Sequence, residues 1–154
     1  ARSRRGRFGH ALQKGQRSLM PTITQIRDGI ATNLQTISGL RTSAEVPDSP
    51  NPPQAVVQMG NVSYDTAFQG GLTTYSFIVS VIVARVTEGR AQERLDAYAS
   101  TSGASSVKEA IESDRTLGGV VADVRVVEMT NVGAVLLGEA TYIAADFAVT
   151  VYAE

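Results

Sequence analysis

Six cations stand within the first seventeen residues: Arg2, Arg4, Arg5, Arg7, Lys14 and Arg17. No Asp or Glu lies among residues 1–19, so this stretch carries +6 against −7 for the remaining 135 residues. Such a segment has two chemistries open to it. It can contact a nucleic-acid backbone, or it can lie along the acidic surface of a neighbouring protein. Base stacking would need aromatic side chains between the charges, and the segment offers only Phe8. The single histidine, His10, sits among these cations, a poor environment for a general base.

Catalytic chemistry has few other footholds. There is no cysteine in the 154 residues, which removes disulfides, thiolate nucleophiles and cysteine-based zinc sites. Glu109, Glu112 and Asp114 are the remaining carboxylate cluster with metal-ligand character. Their place on a short amphipathic helix reads as a solvated face. Gly118-Gly119 leads into a strand, whereas a phosphate cradle opens a helix. Asn61-Val62-Ser63 matches a glycosylation sequon, a pattern too common to weigh. No nucleophile elbow or nucleotide-binding glycine motif occurs. The residues therefore point away from an enzyme, with no catalytic residue, no metal site and no cofactor expected.

The elements that must position these groups follow from periodicity. Residues 1–19 hold too few apolar side chains for a core and read as a basic arm; residues 20–154 read as one domain. Thr22 and Gln25 have capping-box spacing, and Ile23, Ile26, Ile30, Leu34 and Ile37 mark one helix face, predicting a helix over 22–38 stopped at Gly39. Four prolines in 47–53 make a surface loop. Strands are expected over 55–59, through Tyr64 and Phe68, and over 73–86, with a hairpin at Gly70-Gly71. In the 73–86 strand Tyr75, Phe77, Val79, Val81 and Val83 face one way, and Thr74, Ser76, Ile78, Ser80, Ile82 and Ala84 the other.

Two short helices follow, one carrying Ala91, Leu95 and Tyr98, the other opened by a second capping box at Ser106 and Glu109. A strand over 120–129 places Val120, Ala122, Val124 and Val126 inward. After a loop at 131–133, a closing strand sets Thr141, Ile143, Ala145, Phe147, Val149 and Val151 against Tyr142, Asp146, Thr150 and Tyr152. The expected fold is α+β: a single antiparallel-rich sheet of four to five strands, with a longer N-terminal helix and two short helices packed on one face. Its core should gather Phe77, Val79, Val81, Val124, Val126, Phe147 and Val149 against Ile26, Ile30 and Leu95. On the other face Ile78, Ile82, Val127, Tyr142 and Tyr152 should be semi-exposed, a patch of the kind that marks an interface. No apolar run approaches the roughly 18–20 residues of a membrane span, so no membrane role is expected.

The stretches GASSVKEAIESDRTLGGVVADVRVVEM (103–129), GEATYIAADFAVTVYAE (138–154) and IRDGIATNLQTISGLRTSAEVPDSPNPP (26–53) resemble the tail terminator proteins of long-tailed phages infecting actinobacteria. The likeness runs from 20 to 154 and is most specific from Ser106 to Arg125. It implies a structural virion subunit at the head–tail junction, assembled in the host cytoplasm. Such a subunit forms a homo-hexameric ring that caps the tail tube, stops its growth and joins the tail to the head connector. Implied partners are other copies of the chain, the tail tube protein and a head–tail connector or stopper protein, with genomic DNA passing through the ring. The basic residues 1–19 depart from the family pattern, in which chains open near Met20; their role as an inter-subunit or DNA-contacting arm is an expectation from charge alone. A connector or stopper of the same neck, and a basic-arm nucleic-acid-binding module, are the alternatives.

Overall fold

The computed structural model describes residues 21–45, 50–64 and 72–153. The basic arm, His10, the Gly70-Gly71 turn, Phe68 and part of the proline-rich loop lie outside the described residues. Within them, five strands form one sheet in the order β1-β2-β3-β5-β4. The strands are β1 (Arg41–Ser43), β2 (Gln54–Ser63), β3 (Thr73–Arg85), β4 (Asp123–Leu137) and β5 (Ala140–Ala153). Helices α1 (Ile23–Leu34), α2 (Ala91–Ala99) and α3 (Val107–Glu112) contribute to a core on one face of the sheet. The fold is α+β, as expected, and all pairs are antiparallel except β1 with β2, which is parallel.

Helix α1 starts where its cap dictates. The Thr22 hydroxyl accepts from the Gln25 N–H at 3.1 Å, and the Gln25 side chain accepts from the Thr22 N–H at 2.9 Å. Ile26, Ile30, Asn33 and Leu34 are buried, the i, i+4, i+7, i+8 stripe of a core-facing helix. The helix ends four residues earlier than its apolar spacing suggests. Asn33 turns inward and donates to the Ile111 and Asp114 carbonyls at 2.8 and 3.1 Å. Beyond it, Thr36, Ile37 and Leu40 donate three residues back, so the chain leaves in tight turns that still bury Ile37.

The core contains all ten residues that strand alternation and helical spacing assign to it, from Phe77 at the centre of β3 to Leu95 on α2. Three corrections follow, two from irregular ladders and one from where a strand begins. Ala84 belongs to the helix-side core because β3 slips by one residue between Ile82 and Ala84. Ala122 is exposed and Val121 is buried instead, since β4 begins only at Asp123. The expected loop at 131–133 is a bulge inside β4, with Asn131 at φ +53°, and the strand runs on to Leu137. A two-residue turn at Gly138 (φ +65°) and Glu139 then reverses it into β5.

The turn after α3 is set by Leu117, Gly118 and Gly119, all at positive φ. Asp114 holds it through bonds from the Thr116 N–H, the Thr116 hydroxyl and the Gly118 N–H. Its effect is to press buried Leu117 onto α1 at Gly29, where a Cβ would lie 2.8 Å from the Leu117 Cβ. Gly29→Ala should therefore destabilise the protein by roughly 1–3 kcal/mol through overpacking. Urea unfolding measures this, and a gain in stability would mean that α1 and the turn can separate freely.

Candidate functional site

The carboxylates with ligand-like spacing are each engaged in local structure. Glu109 accepts from the Gly103 N–H at 2.6 Å, so the second capping box is half formed: Ser106 caps the Glu109 N–H, but Glu109 reaches past Ser106. Glu112 accepts from the Lys108 ammonium at 2.7 Å and from the Val126 N–H at 2.9 Å, tying α3 to β4. Asp114 organises the turn described above. Among the described residues, no group of three His, Cys, Asp or Glu side chains is arranged to hold a metal ion. No helix among them is long and apolar enough to cross a membrane.

Glu112 carries a pH dependence. Desolvation alone would push its carboxyl up, but the Lys108 and Val126 hydrogen bonds and the charges of Lys108 and Arg115 together hold it below the ordinary carboxylate range. A depressed folded-state pKa contributes stability that is present above the unfolded value, about 4.3, and lost as pH falls through the folded one. Glu112→Gln should cost on the order of 1 kcal/mol at neutral pH and flatten the loss of stability between pH 5 and pH 3. Urea midpoints across that range check the sign; an unchanged slope would remove Glu112 from the acid response.

The sheet's second face is where the molecule departs most from the expected picture. Ile78 and Val127 are exposed and Tyr152 is half-buried, but Ile82 and Tyr142 are buried with Val56 in a small second core. The cause is the β4–β5 hairpin, which continues past the 131–133 bulge and lays Val135, Leu137, Ala140 and Ala144 against them. A cleft of about 380 Å³ opens beside this cluster, lined by Val56, Ile82, Val135 and Leu137 on its apolar side and by Ser80, Asn131 and Asp146 on its polar side. Asp146 accepts from the Ser80 hydroxyl at 2.7 Å and from the Asn131 amide at 3.0 Å. Both donors are neutral, and no ion pair reaches Asp146 among the described residues.

Among the described residues, strand β4 forms one edge of the sheet, paired only with β5. Along it Val127, Val132 and Leu136 stand 64%, 50% and 67% exposed. The strand is bulged twice, between Val126 and Glu128 and between Thr130 and Gly133. Bulges of this kind stop an edge from serving as a flat template for any passing strand, yet they leave these apolar side chains turned outward. The result is a shaped apolar edge beside a cleft whose carboxylate has neutral hydrogen-bond donors and no ion-pair partner among the described residues. Alternation puts Ser80 and Asp146 on this face, but their meeting with Asn131 requires the bulge, which the sequence presents only as a turn-like Asn-Val-Gly. The basic site residues Arg2, Arg4, Arg5, Arg7, Lys14 and Arg17 lie outside the described residues. In comparisons with known proteins, no family model and no curated sequence matches the chain.

Proposed function

We propose that this chain is a non-enzymatic structural subunit of a long-tailed phage virion, the tail terminator that assembles as a ring on the last layer of the tail tube. The observation that carries the reading is the β4 edge, with three strongly exposed apolar side chains on a strand that pairs only with β5 among the described residues. A single-domain protein with such an edge is suited to burial against another protein surface. Contacts between two different surfaces of identical subunits close into a ring when the rotation permits, which avoids open-ended fibres. The resemblance of 103–129 and 138–154 to tail terminators supports reading the assembly as a neck ring of six copies, with the tube protein below and a connector or stopper above.

A neck connector is the competing reading, and phage lacking the gene discriminate between the two. Loss of a terminator should leave filled heads beside unattached tubes of irregular, often excessive length. Loss of a connector should leave tails of uniform length and heads that lose their DNA. Electron microscopy of the defective lysate reads this directly, and uniform tail lengths would overturn the terminator.

A further inference from the structure

We propose that the cleft on the sheet's second face receives a basic side chain from residues 1–19 of a second copy, with Asp146 as the counter-charge. The inference rests on the ring reading and names the contact that would join neighbours within it. The chemistry of the cleft sets its occupant. At about 380 Å³ it lies at the small end of ligand pockets, room for a side chain or two. Its walls of Val56, Ile82, Val135 and Leu137 suit the methylene stem of an arginine or lysine. At its polar side stands a carboxylate whose two bonds come from neutral donors, leaving its charge uncompensated among the described residues. An arginine reaching it would gain a charge-assisted bond in a partly dry setting.

Charge balance points to the source. Five of the eight basic residues outside the arm are already ion-paired: Arg90, Arg94, Lys108, Arg115 and Arg125. Residues 1–19 hold six cations with no acidic residue beside them, four of them within Arg2–Arg7. The arm joins the body at the start of α1, on the helix-bearing face, whereas the cleft opens on the opposite face. A neighbour in a ring can present its cleft to these residues directly, and docking on the chain's own body is the competing outcome.

The absence of native cysteine makes the test clean. Two full-length single-cysteine variants, Ala134→Cys in the cleft wall and Gly6→Cys between the arm arginines, are mixed under mild oxidation. The proposal expects a disulfide-linked pair forming at least tenfold faster than with a control cysteine at Gln92 on α2. Asp146→Asn in the Ala134→Cys chain, or 1 M salt, should bring the rate down to that control. Thermal melts confirm that the Asp146 variant is folded. A rate equal to the control, or a chain carrying both cysteines that closes only on itself, overturns the proposal. Native mass spectrometry on the same samples separates the two claims. Rings without this cross-link reject the arm contact alone, whereas monomers throughout reject the ring reading with it.

Discussion

Phe77→Ala is expected to cost roughly 3–5 kcal/mol, the range for truncating a large aromatic side chain in a packed core. Phe77 is 1% exposed at the middle of β3, opposite Met59 on β2 and Val149 on β5. Strand β3 is the central strand of the sheet, so neighbouring backbone on both sides resists collapse into the space left behind. Against a typical total stability of about 5–15 kcal/mol, a loss of this size should appear as a large drop in the urea midpoint and a melting temperature lower by roughly 10 °C. Ser76→Ala, one residue away on the second face, should stay within about 0.5 kcal/mol. Equal losses from the two variants would mean that the second face is packed as tightly at Ser76 as the core is at Phe77.

That contrast works because strand alternation is the strongest signal in this chain. A period of two with β-branched and aromatic residues runs unbroken from Thr73 to Ile82 and again from Ala145 to Ala153, and both runs lie on the faces their pattern implies. The capping boxes are equally local, and Thr22 with Gln25 closes as its spacing indicates. What could not be read is what depends on distant chain. Strand β1 is three residues, Arg-Thr-Ser, with no alternation; it exists because β2 offers it a parallel partner. Strand β4 crosses Asn131-Val132-Gly133, a sequence that locally prefers a turn, because β5 supplies a ladder on either side of the bulge. Tyr142 and Ile82 were placed on the correct face, but their burial depends on the hairpin tip folding over them. The cleft belongs with these: Ser80 and Asp146 were legible as second-face residues, while Asn131 completes the site only through tertiary pairing.

The second large effect concerns assembly and leaves the fold intact. Val132→Lys and Leu136→Lys, separately and together, change side chains that are 50% and 67% exposed, so each should alter monomer stability by no more than about 0.5 kcal/mol. If the β4 edge is the surface that a neighbouring copy covers, the same changes bury an ammonium without a partner. Leaving a buried charge uncompensated costs several kcal/mol, about 3–5 where such pairs have been broken. At 1.4 kcal/mol per factor of ten, one such contact weakens association by at least a hundredfold. In a closed ring the penalty recurs at every interface, so the double variant should be monomeric at micromolar concentration while keeping its far-ultraviolet circular dichroism and urea midpoint. Gln92→Lys, at an exposed position of α2, serves as a control for added charge and should assemble as the parent does. Native mass spectrometry and light scattering measure the outcome. If the double variant assembles like the parent, the edge faces solvent in the ring and the contact lies elsewhere on the body. If Gln92→Lys disassembles as readily, net charge governs association and the exposed valine and leucine do not mark the interface.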